Sequence, residues 1–239
     1  MNVITRSIPN TITCCNLVSG VLAITFAFRP FEQFGPLAGY EWVWVCIGLA
    51  AVFDFCDGLS ARLLKAYSAM GKELDSLSDL VSFGVAPAML LFNLLQAPGA
   101  PAWLPYAAIL IPVMGQLRLA RFNIDDSQAT VFRGLPIPAE AIFWIGATAW
   151  LTSCPRALDF GPDWLVGLCW SLLVAAASLM MVAPMRMFSL KLKSFGLAEN
   201  LPRYVLILGC LAFVIGFGVA GFAPAIVLYI LLSAVAPSR

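Results

Sequence analysis

The 239-residue chain contains no histidine. That absence removes Ser-His-Asp and Cys-His nucleophilic schemes, histidine-ligated metal sites and phosphodiester cleavage through imidazole. Charge is scarce too. Asp, Glu, Lys and Arg make up 11% of residues against 61% hydrophobic, a balance foreign to soluble globular domains. The net charge of +1 leaves no basic excess to attract nucleic acid. None of the seven cysteines forms a CxxC pair, so neither a zinc site nor a disulfide framework is expected, and the thiols read as small packing groups. A cleavable signal peptide is not evident either: the run after Arg6 carries Pro9, Asn10, Thr13 and Asn16 and lacks a clear small-residue cleavage site. Any catalysis must use carboxylates, Arg or Lys, hydroxyls and oxygen-bound metal ions.

Apolar length is what the chain has in abundance. Candidate spans cover residues 12–28, 41–64, 72–96, 104–122, 138–153, 164–185, 203–219 and 222–236, where about 20 residues cross a bilayer. Gly221 and Pro224 are the only punctuation between the last two. Residues 1–10 read as a short interfacial lead and 123–137 as a polar loop. No repeat or low-complexity tract interrupts the pattern, so residues 1–239 form one domain. The expected fold is an all-α integral membrane protein of about eight transmembrane helices. With a cytoplasmic N-terminus, only Arg29 and Arg156 of the 14 Lys and Arg residues fall on the far side, while Arg6, Arg133, Arg186, Lys191, Lys193 and Arg239 stay on the near one. This bias opens a polar active-site cavity to the cytoplasm.

Four acids interrupt the apolar runs: Asp54 and Asp57 near the end of the second span, Asp75 and Asp79 near the start of the third. An ionised Asp at mid-membrane costs roughly 2.5 to 3.5 kcal/mol, so four cost on the order of 10 kcal/mol unless something offsets them. At about 100° per residue, Asp54, Asp57, Gly58, Ala61 and Arg62 share one helical arc. Gly71, Asp75 and Asp79 follow at intervals of four on the next helix. Two helices joined by a short link can therefore aim four carboxylates into one cleft, and the small Gly58, Ala61 and Gly71 allow close approach. All-oxygen ligation suits hard cations, and a pair of them clamps phosphoryl oxygens during displacement at phosphorus. The rival from another class is a cation transporter with an acidic path. It would move ions in proteoliposomes without any nucleotide-linked lipid.

The pattern Asp54-x2-Asp57-Gly58-x2-Ala61-Arg62-x8-Gly71-x3-Asp75-x3-Asp79 resembles, at every position, the signature of the CDP-alcohol phosphatidyltransferases. Members of that family displace CMP from a CDP-linked lipid with the hydroxyl of a second substrate. The resemblance implies two divalent cations, Mg²⁺ or Mn²⁺, held by Asp54, Asp57, Asp75 and Asp79, with Asp79 also the proton acceptor. It implies CDP contacts at Gly58, Arg62 and Ser68; Asp57, Ala61 and Gly71 of the same motif are further candidates for the CDP-lipid site, as are Asn10 and Thr13 of the first span, for which interhelical hydrogen bonding is the alternative. The forked guanidinium of Arg62 suits a phosphate, and Asp79, one turn beyond Asp75, can reach an incoming nucleophile.

Longer stretches resemble one branch, the phosphatidylserine synthases: IPNTIT ending at Thr13, ELDSLSDLVSFGVAPA at Glu73–Ala88, RLARFN at Arg118–Asn123 and FRGLPIPAEA at Phe132–Ala141. This likeness implies CDP-diacylglycerol and L-serine as substrates. It also implies a homodimer in membrane lipid, the inner membrane if the source is bacterial. Serine is a zwitterion, so its pocket needs a cation and an acceptor. Arg118 and Arg121 are candidates for the first, and Asn123, Ser82 or Glu73 for the second. A within-family rival uses glycerol 3-phosphate or an inositol phosphate and demands more fixed positive charge.

Overall fold

The computed structural model describes residues 3–124, 132–154, 164–188 and 197–235. Arg156, Lys191, Lys193 and Arg239, invoked above for orientation, lie outside these ranges, as does the side chain of Arg6.

Helix α1 spans Val3–Ala27 and α2 spans Gly39–Leu63. The lead expected over residues 1–10 is helical from Val3 onward, with Pro9 inside the helix. Asn10, Thr13 and Asn16 consequently share one face at intervals of three. The short antiparallel pair β1 (Gln33–Phe34) and β2 (Leu37–Ala38) turns the chain from α1 into α2. The two helices then pack closely through small and branched side chains, with Ala23, Ala27, Val43 and Ala50 fully buried.

The link after α2 decides how the acids meet. Leu64 ends the helix, Lys65 takes the left-handed conformation (φ 51°), and the amide of Ala66 donates to the carbonyl of Ala61 at 2.9 Å. This is a Schellman-type cap, which reverses the chain without a glycine. Ser68 then caps α3 (Ala69–Asp79), its Oγ accepting from the amide of Gly71 at 2.9 Å.

Helix α3 continues through a π-helical turn, Leu80–Val85, into α4 (Ala86–Leu94). The amide of Ala86 donates to Val81, five residues back. One wide turn shifts the phase of everything after it, and such turns recur at functional sites. It begins immediately after Asp79, where α1 presses in: a Cβ on Gly20 would sit 2.7 Å from the Cα of Ser82.

A 3₁₀ segment, Leu104–Ile109, leads into α5 (Leu110–Ile124). Strand β3 (Phe132–Arg133) pairs antiparallel with β4 (Arg186–Met187), tying the entry of α6 to the exit of α7. Between them Gly134 (φ 73°) passes so close to Met181 that a Cβ would lie 2.8 Å from its carbonyl carbon. Helix α6 (Ile137–Ser153) is the core of the bundle, with Ile137, Glu140, Ala141, Trp144 and Leu151 fully buried. Its 17 residues extend about 25 Å at 1.5 Å per residue, short of the hydrocarbon thickness. Helix α7 is Trp164–Val182, and α8 (Leu197–Phe217) and α9 (Phe222–Val235) form a tight C-terminal pair. The turn between them uses Gly218 at φ 59° and Gly221, whose Cβ would strike the backbone of Phe213.

Among the described residues, five stretches are long and apolar enough to cross a membrane: Ser7–Ala27, Gly39–Leu63, Ala69–Leu94, Trp164–Val182 and Asn200–Val235, the last comprising most of α8 together with α9. Their outward faces carry Val18, Phe55, Leu172, Leu208 and Ile215, all exposed. Such faces suit a lipid solvent. The chain is an all-α, multi-pass membrane protein.

Candidate active site

The end of α2 and the start of α3 converge as the sequence predicts. One carboxylate oxygen from each of Asp54, Asp57 and Asp75 lies within 4.8 Å of the others. Asp57 is buried, whereas Asp54 and Asp75 are half-buried. Asp75 Oδ1 is shielded from solvent and has no hydrogen-bond partner. An orphaned carboxylate oxygen among two other acids is the environment a cation satisfies. Oxygen-only donors select a hard ion, so the residues present fit Mg²⁺ or Mn²⁺.

Asp79 stands one turn further along α3 and is buried. It is outside the group of three, yet Asp54, Asp75 and Asp57 are all within electrostatic reach of it.

Helix α1 supplies what the sequence pattern alone misses. The Thr13 hydroxyl donates to Asp57 Oδ2 at 2.6 Å, and the Asn16 amide donates to Asp79 Oδ1 at 3.1 Å. Both donors are buried, at 3% and 0% exposure, so these bonds exchange with no water. Their spacing of three along the helix was the available signal. It shows that they share a face but not that the face meets two acids more than 40 residues away.

A cavity of about 520 Å³ opens beside the acids. Asn10 and Thr13 from α1, Asp57, Gly58 and Ala61 from α2, and Gly71, Lys72 and Asp75 from α3 line it, together with Tyr67 of the link and the capping Ser68. A Cβ on Gly71 would stand 3.0 Å from Ser68 Oγ and 3.1 Å from Asn10 Oδ1, so the glycine keeps that wall open. Arg62 is exposed and does not line the cavity, its Nε donating to the carbonyl of the lining residue Gly58 at 2.9 Å. Nearly every position expected to touch a CDP-lipid thus borders one space. Asp54 and Asp79 do not line it.

The residues expected to hold serine are spread more widely. Arg118 and Arg121 line a second cavity of about 340 Å³ with Arg133 and the end of α7. Arg121 is exposed and donates to the carbonyl of Val182 at 3.2 Å, whereas the Nε of Arg118 is buried without a partner. Ser82 is fully buried and spends its hydroxyl on the carbonyl of Asn16 at 3.0 Å. Asn123 donates to Ser76 Oγ at 2.9 Å and accepts from Lys72 Nζ at 2.9 Å, joining α5 to α3. Glu73 is exposed.

Comparison with known proteins accords with this geometry. Residues 6–182 match the family model for CDP-alcohol phosphatidyltransferase. The chain belongs to that family. It is 37% identical over 164 residues to a CDP-diacylglycerol–serine O-phosphatidyltransferase of Mycobacterium leprae, a match covering 66% of this chain and 49% of that protein. Against the Bacillus subtilis protein of the same name it is 39% identical over 135 residues, 55% of this chain and 69% of the relative. The Methanocaldococcus jannaschii protein of that name is 39% identical over 140 residues, 59% of each chain. The chain thus spans about half to two thirds of the length of the curated relatives it matches. Asp54, Asp57, Asp75 and Asp79 all lie inside the matched residues.

Proposed function

We propose that the chain is a CDP-diacylglycerol–serine O-phosphatidyltransferase, transferring the phosphatidyl group of CDP-diacylglycerol to the L-serine hydroxyl with release of CMP. The observation that carries this reading is the convergence of Asp54, Asp57 and Asp75 beside a cavity walled by the other signature residues. The acceptor is that of the relatives, each a CDP-diacylglycerol–serine O-phosphatidyltransferase by name.

Asp54, Asp57, Asp75 and Asp79 hold the divalent cations, Mg²⁺ or Mn²⁺. Bound there, such ions neutralise charge on the phosphoryl oxygens and on the departing phosphate. The chain's own groups do the rest. The positive end of α3 and the Lys72 ammonium favour an anionic group at that end of the cavity. Arg62 supplies a forked contact to a phosphate, and the gap at Gly71 admits the nucleotide. Thr13 and Asn16 hold Asp57 and Asp79 in fixed rotamers. Asp79 accepts the serine hydroxyl proton as the oxygen attacks phosphorus.

In this reading residues 1–239 are one domain with eight membrane crossings. The N-terminus and cavity mouth are cytoplasmic, and the chain works as a homodimer in the cytoplasmic membrane. The eight helical rods among the described residues, counting α3 through α4 as one, support the count. The basic residues near the acid-bearing ends support the orientation.

A second reading has one observation in its favour. Three arginines, Arg118, Arg121 and Arg133, around one cavity suit a phosphorylated acceptor such as glycerol 3-phosphate or an inositol phosphate. Supplying purified protein and CDP-diacylglycerol with radiolabelled serine, glycerol 3-phosphate or inositol phosphate separates the two. Serine-dependent CMP release with labelled phosphatidylserine is expected. Label entering lipid only from a phosphorylated acceptor would replace this reading with the second.

A further inference from the structure

Glu140 belongs to neither the acidic signature nor the expected serine pocket, yet it is a fully buried acid at the centre of the bundle. Trp144 Nε1 donates to its Oε1 at 3.2 Å, and its Oε2 is buried with no partner. Across from it on α5, Arg118 has the matching defect, a buried Nε without an acceptor. The two feel each other's charge, and Asp79 also lies within electrostatic reach of Arg118. No ion pair forms between Arg118 and Glu140.

Backbone packing explains why these groups face one another. At Gly115 a Cβ would stand 2.7 Å from Ile137 Cδ1 and 3.9 Å from Leu80 Cδ1, so α5, α6 and the π-helical turn meet there. Arg118 is one turn from Gly115, Glu140 is one turn from Ile137, and Asp79 immediately precedes Leu80. Three helices thereby deliver a cation, an anion and the proposed base to one locality, with Arg118 Nε and Glu140 Oε2 still without partners although the Arg118 guanidinium also lies over the Phe122 ring.

We propose that Arg118 and Glu140 are the two poles of the acceptor site and read a zwitterion. Arg118 takes the carboxylate of L-serine, Glu140 takes its ammonium group, and the hydroxyl is left facing Asp79. This inference rests on the serine reading above and adds the residue that supplies its selectivity. A buried carboxylate within electrostatic reach of Arg118 repels the phosphate of a phosphorylated acceptor and attracts an α-ammonium group. Specificity of this kind is strong because a wrong ligand leaves a buried charge unpaired.

The test uses the purified full-length protein in lipid nanodiscs. Glu140→Gln is expected to raise the KM for L-serine by at least about tenfold, the usual scale for losing one charged contact, while the KM for CDP-diacylglycerol moves by less than about twofold. Glu140→Asp, which keeps the charge, is expected to recover part of the loss. Equal changes in both KM values would overturn the proposal, because they mark a packing role for Glu140. A second measurement needs no variant. L-Serine is expected to slow labelling of Glu140 by a hydrophobic carbodiimide in the wild-type protein, followed by peptide mass spectrometry. Identical labelling with and without serine would overturn the proposal even if the Gln variant did not fold. A wild-type protein that ignores serine and consumes a phosphorylated acceptor would instead remove the serine reading itself, a distinct result.

Discussion

Replacing Thr13 with Val keeps the shape of the side chain and deletes only the hydroxyl that holds Asp57. That hydroxyl donates to Asp57 Oδ2 at 2.6 Å and lies 3.1 Å from the carbonyl of Pro9, in a place where both residues are at most 5% exposed. A hydrogen bond to a charged group contributes about 1.5 to 3 kcal/mol. Bonds between membrane helices average about 0.6 kcal/mol and reach about 1.7. The short distance and charged acceptor place this one where the ranges overlap, near about 1.5 kcal/mol, or slightly more than tenfold in an equilibrium constant. The bond persists when Asp57 holds a cation, so its contribution is to orient the carboxylate. Partners of metal ligands typically change affinity by about 10- to 100-fold when lost. Thr13→Val should therefore raise the Mg²⁺ concentration for half-maximal CMP release about tenfold, with turnover at saturating Mg²⁺ within about threefold of wild type. Thr13→Ser, which keeps the hydroxyl, should track the wild-type curve. Superimposable Mg²⁺ titrations for Thr13→Val and wild type would refute the reasoning, as would a Ser variant as impaired as the Val one.

Two further outcomes are expected. Asp79→Asn should lower turnover by about 10² to 10⁴, the range for removing a general base, while CDP-diacylglycerol binding by equilibrium dialysis in nanodiscs persists. Near-wild-type turnover would move the base elsewhere. Gly20→Ala should destabilise the bundle by about 1 to 3 kcal/mol, because the new methyl lands 2.7 Å from the Cα of Ser82. A thermal unfolding midpoint in detergent equal to that of wild type would show that α1 can shift without cost.

Much of the architecture was legible because lipid imposes simple rules on sequence. The apolar runs marked most helical rods to within a few residues, although α1 and α8 begin earlier than expected, at Val3 and Leu197, and even the weakly punctuated C-terminal pair separates at Gly218–Gly221. The acidic signature was legible for a related reason, since charge in an apolar run is costly enough to be informative wherever it stands. The π-helical turn was not legible. Leu80–Val85 holds a single glycine, Gly84, with Pro87 just beyond it, which do not by themselves distinguish a wide turn from ordinary helix, and that turn coincides with the packing of Gly20 on Ser82. The role of Ser82 was hidden for the same cause, its hydroxyl being directed to Asn16 by that packing.

The sequence by itself determined the membrane class, the family and the four aspartates with their helical phase, because each depends on residue type and local spacing alone. Tertiary structure decided which side chains hold those aspartates, which wall the cavity, and that Glu140 stands unpaired opposite Arg118. Those relations join residues up to 66 positions apart, as Ser82 and Asn16 are. They depend on how closely helices approach at Gly20 and Gly115, and no local pattern records that distance.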